Sequence, residues 1–227
     1  MLSAIAIIPS APVLVPELAG VAAEELADLT AAVAGSAAFL PSRWVAIGTG
    51  EADAVLDPES VGTFAGFGVD VAVRLSPSAD RPAAFPVCAL LAAWTRGQTR
   101  PDATAQVRVY RGDHDVDTAL ARGRRLRAEL GETSDPVGVL VVADGANTLT
   151  PSAPGGHRPG DAAAQLALDD ALAAGDVAAL ARLPREICGR VAFQVLAGLA
   201  EPGPRSAKEF YRGAPYGVGY FAGAWLP

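Results

Sequence analysis

Apolar positions along this chain fall into two patterns that alternate: short unbroken runs, and longer stretches in which they recur every three or four residues. Val107 to Tyr110 predicts a further short strand, and the runs are Leu2 to Ile8, Arg43 to Ile47 and Val137 to Val142. The last is mostly β-branched and shows no in–out alternation, as expected of a strand covered on both faces. Val69 to Leu75 alternates enough to predict a further strand. Helical spacing appears over Glu17 to Ala34, with apolar residues at Val21, Leu26, Leu29 and Val33, and again over Pro86 to Arg96, Thr118 to Leu130, Asp161 to Arg182 with a break near Gly175, and Ile187 to Leu199. Val61 to Gly68 reads as irregular and Pro77 to Pro82 as a turn-rich connection. Phe210 to Phe221, aromatic and glycine-rich, predicts one closing strand in close contact with other backbone. No internal repeat, low-complexity linker or charge boundary interrupts this alternation. It predicts one α/β domain over residues 1–227, with a central, mostly buried sheet and helices on both faces.

Composition narrows the partners. With 51% hydrophobic residues in 227, the chain has ample material for a sizeable core. Eighteen basic residues against twenty-five acidic ones give a net charge of −7, so the phosphate-neutralising surface of a nucleic-acid-binding protein is not expected. The N-terminal apolar run carries no preceding positive charge and ends before Pro9, which fits neither a signal peptide nor a membrane span. A cytoplasmic protein with no membrane partner is expected. Cys88 and Cys188 fall in predicted helices without CxxC or Cys/His metal spacing, and are expected to be ordinary buried thiols.

Candidate chemistry lies where strands end. In open α/β sheets, ligands sit beyond the carboxyl ends of the strands. The run ending at Val142 empties into a long loop, Asp144 to Gly160, and makes Asp144, Asn147, Thr148 and His157 candidates, against the alternative that the loop is a plain surface connection. Pro9-Ser10-Ala11-Pro12 forms a second, rigid strand end. A third, Gly48-Thr49-Gly50-Glu51, reads either as a close backbone approach to a ligand or as a tight turn. It has neither dinucleotide nor phosphate-loop spacing, so no nucleotide cofactor is assigned. Arg111 to Asp117 contains DHDVD, which lacks the turn glycine and closing glutamate of a calcium loop. Its aspartates are expected to cap the helix that follows, with His114 left open as a site residue.

Three segments together, PSAPVLVPEL (Pro9 to Leu18), DGANTLTPSAPGG (Asp144 to Gly156) and APYGVGYF (Ala214 to Phe221), resemble the LigB-type family of class III extradiol ring-cleavage dioxygenases, in the family's order and across almost the whole chain. The resemblance implies a LigB-like α/β domain. In the family, a non-haem Fe(II) ion is held by two histidines and a carboxylate and assisted by an acid/base histidine. The first ligand histidine falls here on Ser10, the second in Gly48-Thr49-Gly50, the acid/base histidine on Asn147, and the carboxylate near Gly213, beside Arg212. None of the four residues is retained. Serine and glycine do not replace imidazole as a ligand, and an asparagine amide does not transfer protons at neutral pH. His114 is set opposite a further active-site histidine of the family.

The expectation is therefore a LigB-like pseudoenzyme, with no catalytic residues, metal or cofactor. It would bind a small molecule or a protein partner in the former cleft through Ser10, Thr49, Glu51, His114, Asp144, Asn147 and Arg212, the last able to meet an anion. A competing expectation is a metal-dependent oxidoreductase with a relocated ligand set drawn from Glu17, Glu51, His114, Asp144 and His157. A metal-free hydrolase or transferase ranks last, because neither a G-x-S-x-G elbow nor a Ser/His/Asp set is found. The resemblance and the aromatic C-terminal strand make a homo-oligomer reasonable.

Overall fold

The computed structural model describes residues Met1 to Pro227, the side chains of Val21 and Ala22 excepted. Val21, an apolar position of the first expected helix, thus lies outside the described side chains. In chain order the elements are β1 (Leu2–Ile8), α1 (Pro16–Ala19), α2 (Ala27–Ala37), β2 (Arg43–Gly50), β3 (Ala54–Leu56), β4 (Ser60–Thr63), β5 (Ala72–Arg74), β6 (Arg81–Pro82), α3 (Val87–Thr99), β7 (Thr104–Arg111), α4 (Val116–Gly131), β8 (Val137–Val142), α5 (Asp161–Ala174), α6 (Val177–Ala181), α7 (Arg190–Ala200), β9 (Ser206–Gly213) and β10 (Tyr220–Leu226). Seven strands form the main sheet in the order β3-β7-β2-β8-β1-β10-β9. The central four, β7, β2, β8 and β1, are parallel; β10 is antiparallel to β1, β9 to β10, and β3 to β7.

Every residue of β8 is buried. Leu140 and Val142 pack into the layer formed with α2 and α3, and Val139 and Val141 into the layer formed with α4 to α7. Removing such a side chain from water contributes about 1.5–3 kcal/mol, which is why this run shows no polar face. The chain passes from β1 to β2 through α1 and α2 and from β2 to β7 through α3, all on one side. It then returns to β8 through α4 and leaves through α5 to α7 on the other. The neighbours β1 and β8 therefore send their following segments to opposite faces. Their carboxyl ends border the crevice in which α/β proteins bind ligands.

Several expectations need correction. Gly48-Thr49-Gly50 is not a turn: β2 continues to Gly50, paired with Val109, Tyr110 and Arg111 of β7. Gly48 is needed because α3 lies directly on it, so that a Cβ there would collide with the Cβ of Cys88 and stand 2.8 Å from its sulfur. The strand expected over Val69 to Leu75 is the three-residue β5, in a separate small sheet with β4 and β6. That sheet also gives regular structure to Ser60–Thr63, within the stretch expected to be irregular. The helix expected from Glu17 is the short α1, a 3-10 turn over Gly20–Ala23, and then α2. The closing strand is two antiparallel strands, β9 and β10, joined through a turn with Tyr216 at φ 58°. Cys88 is buried as expected, whereas Cys188 precedes α7 and is exposed. The break near Gly175 is present: this glycine ends α5 at φ 70°.

Helices α4 and α7 approach closely because each presents a glycine to the other's backbone. A Cβ on Gly123 would strike the Val195 carbonyl oxygen, and one on Gly198 the Leu120 carbonyl oxygen. This contact sets the start of α7 beside the loop after β7. Alanine is the better helix former by about 1 kcal/mol, so propensity alone favours Gly123→Ala. The steric argument predicts instead a loss of roughly 1–3 kcal/mol in urea denaturation. A neutral or stabilising result would show that the helices are not held at this distance.

Candidate functional site

Because the four central strands are parallel, their carboxyl ends share one edge of the sheet. Ile8 of β1 is level with Val142 of β8, and Ile47 of β2 with Val141. Two residues beyond these strand ends, the Ser10 backbone N–H donates to Asp144 Oδ1 at 2.7 Å. The loop after β8 is not a loose connection. Gly145 N–H donates to the Gly219 carbonyl and Gly219 N–H to the Ala146 carbonyl, both at 2.8 Å, and Leu149 N–H donates to the Gly217 carbonyl at 3.0 Å. From below, Gln165 of α5 accepts from Ala146 N–H and donates to Asp169, each at 2.8 Å. The Thr148 hydroxyl donates to Asp161 at the start of α5. On the other side, Gly189 N–H donates to the Asp144 carbonyl at 2.8 Å and Cys188 N–H to the Gly145 carbonyl at 3.1 Å.

Asp144 is the residue with the most altered chemistry at this edge. Burial of its carboxyl pushes the pKa from the ordinary 3.8 up to about 7, opposed by the Ser10 N–H. The Tyr220 phenol is pushed up by burial and then by the Asp144 carboxylate. The Cys188 thiol is raised first by desolvation and then by Asp144, against the lowering effect of the Asn147 backbone N–H. The Tyr220 phenol and the Cys188 thiol thus both feel the Asp144 carboxyl, which changes charge near neutral pH.

The expected site residues divide. Ser10, Asp144 and Asn147 lie together, although Asn147 turns its side chain onto Gly155 within its own loop, where a Cβ would collide with Oδ1. Thr49 is half-buried near the end of β2, the strand adjoining β8; its carbonyl accepts from the Cys88 thiol at 3.4 Å. Glu51 is exposed just beyond. His114, after β7, stands 2.8 Å from Asp53, which also takes the Arg111 N–H at 2.8 Å and pairs with Arg122 at 2.9 Å. Burial alone would raise the Asp53 carboxyl; the Arg111 N–H, His114 and Arg122 outweigh it and hold it below the usual range. Arg212 is a correction: its guanidinium is taken by Glu209 on its own strand, at 2.5 Å, and by Asp170 of α5, at 2.7 Å, and is not free for an anion.

Sequence reasoning missed Cys188, Tyr220, Gln165 and Asp53. Only the PYGVGY segment signalled one of them, Tyr220; the others come from distant elements with no local motif. The same edge holds a cavity of about 340 Å³ between Gly112-Asp113 after β7 and Arg185, Ile187, Cys188 and Arg190 leading into α7.

The positions that the LigB resemblance assigns to ligands carry Ser10, Thr49 between two glycines, and Gly213, and the crevice carboxyl has no imidazole among its recorded partners. Among the described residues, no group of three or more His, Cys, Asp or Glu side chains converges as a metal site. The relocated set is dispersed: Glu17 lines a cavity with Val71 to Arg74 and Arg96, His114 is with Asp53, and His157 is exposed.

No protein-family model matches the chain, and no curated protein matches it. Among solved structures, the chain is similar to the uncharacterized protein JW3007 from Escherichia coli K12, with a TM-score of 0.56 and 11% identity over 98% of this chain and 99% of that one. At that identity the likeness shows a shared fold.

The raised Asp144 pKa has a definite sign. The folded state binds the proton more tightly than the unfolded chain, so stability is greatest below the unfolded value of 3.8 and falls as pH rises, levelling above about 7. Asp169, raised to about 6 by burial, acts in the same direction. Asp144→Asn keeps an acceptor for the Ser10 N–H and removes the titration. It should raise stability at pH 8 by roughly 2–4 kcal/mol relative to pH 4, measured as the wild-type-to-variant difference in urea unfolding. An equal pH dependence in both proteins would show that Asp144 is not desolvated.

Proposed function

We propose that the protein is a LigB-like scaffold without ring-cleavage chemistry that binds a small polar molecule at the carboxyl edge of its parallel strands. The observation that carries this reading is Asp144. It is a desolvated carboxyl in the β1/β8 crevice, tied to Ser10 and titrating near neutrality. Keeping such a group costs stability at neutral pH, and residues of this kind cluster where proteins bind or transform ligands. In its protonated form Asp144 donates a hydrogen bond, and in its ionised form it accepts two or more, so one side chain recognises ligands of either polarity. The absence of imidazole at the family's metal positions supports binding over oxygen chemistry. The loop after β8, held by Gln165 and Gly219, supplies a rigid wall, which limits the ordering cost of binding.

Two measurements on the purified protein test the reading. Expressed with iron supplied, it should carry iron far below one equivalent and show catechol-dependent oxygen uptake at background. In a thermal-shift panel of small polar metabolites, at least one compound should raise the melting temperature, and Asp144→Asn should weaken the affinity obtained from titrating that shift by about tenfold, the loss of one hydrogen bond to a charged group. Stoichiometric iron with catechol-dependent oxygen uptake would contradict the proposal.

A further inference from the structure

We infer that the cavity between Gly112-Asp113 and Arg185-Arg190 is a subsite for the oxyanion group of a small molecule, a phosphate or a carboxylate, with Arg190 as its fixed anchor. The inference rests on the reading of this edge as ligand-binding, and adds the chemical class of the ligand.

Arg190 is placed before any ligand arrives. Its Nη1 donates to Gln194 Oε1 at 3.0 Å and its Nη2 to the His114 carbonyl at 3.1 Å. Each of these partners is itself held. Gln194 is buried within α7 and donates to the Ala181 carbonyl at 3.2 Å, and the His114 side chain is held by Asp53. A guanidinium has five N–H groups in a rigid fork. Those partners engage the terminal nitrogens, which leaves Nε–H and one hydrogen on each terminal nitrogen without an acceptor among the described residues. Nε is not sealed in the interior, because among the described residues the buried side-chain atoms without a partner are Thr95 Oγ1 and Arg100 Nε.

The two arginines that line the cavity are not paired with carboxylates, although the Asp144 carboxylate acts on Cys188 from beside it and raises its thiol. In a protein of net charge −7, neither Arg185 nor Arg190 has a carboxylate partner among the described residues. The one acidic residue lining the cavity, Asp113, is taken by Arg111 through contacts of 3.0 and 2.5 Å, which hold its carboxyl below the usual range. Two arginines facing about 340 Å³, one of them prepositioned, present the fork geometry that carboxylates and phosphates match. Preorganisation matters here, since a mobile surface arginine would lose side-chain entropy on binding.

Cys188 lines the same cavity and is exposed, while Cys88 is buried, so the protein contains its own reporter. The rate of alkylation by anionic iodoacetate is compared with that by neutral iodoacetamide; the ratio cancels the thiolate fraction and reads the local potential. At low ionic strength, in the Asp144→Asn background that removes the negative charge acting on Cys188, the ratio at Cys188 should exceed that of N-acetylcysteine by about threefold or more. Inorganic phosphate or malonate should slow both reagents. Protection by phosphate alone assigns a phosphorylated ligand, and protection by malonate alone a carboxylate one. Arg185→Gln should lower the ratio and the protection. Arg190→Lys, which keeps the charge but loses the fork, should lower protection more than the ratio. Arg43→Gln, at the opposite end of β2, should change neither.

A ratio equal to that of N-acetylcysteine, with no protection by either anion, would overturn the inference. Among the described residues the Arg185 side chain makes no hydrogen bond, so its variant remains informative even if Arg190→Lys disturbs folding. A compound from the thermal-shift panel that binds through Asp144 yet leaves Cys188 alkylation unchanged would overturn the anion subsite while preserving the broader reading.

Discussion

Strand β8 is the constraint on which the rest of the molecule depends. It lies in the middle of the sheet, pairs in parallel with β1 on one side and β2 on the other, and is buried at all six positions. A strand so placed has no polar face to give up, and its first polar residue, Asp144, falls where the strand leaves the sheet. The pairing with β1 brings Ser10 to that carboxyl across 134 residues of chain. The crevice chemistry follows from packing: the layers that bury Val139 to Val142 also desolvate Asp144, and desolvation moves its titration towards neutrality.

The second organising contact is between α4 and α7. Gly123 and Gly198 let the two helix backbones approach, and α7 is thereby started beside the loop that follows β7. Arg190, at the first position of α7, then reaches the His114 carbonyl, while Gly189 reaches the Asp144 carbonyl. One helix start thus joins the β7 loop to the β8 loop, and the cavity at Cys188 lies between them. A change at the helix contact, far from any ligand, should be felt at both.

The buried strands were legible in the sequence because a strand covered on both faces leaves an unmistakable apolar run, and the alternation of runs and helical stretches sufficed for the α/β architecture. Legibility failed where glycine serves packing instead of turning. Gly48 and Gly50 read as a strand end, yet β2 continues through them, since Gly48 makes room for Cys88 on α3. The PYGVGY segment concealed a turn in which Tyr216, a non-glycine residue, takes positive φ. Of the candidate site, the grouping of Ser10, Asp144 and Asn147 was visible because strand-end position alone selects them. Arg212 was misread, because its partners Glu209 and Asp170 are adjacent only once β9 packs against α5. Cys188 and Gln165 left no local pattern, for the contacts that matter to them join distant parts of the chain.

The account stands on the state of one carboxyl group. An NMR titration following the side-chain carboxyl carbon of Asp144 in the folded protein measures it directly. A desolvated crevice predicts a midpoint near pH 7. A midpoint at the ordinary 3.8 would mean that water reaches the carboxyl freely, and would remove the observation on which a ligand site at β1 and β8 is argued.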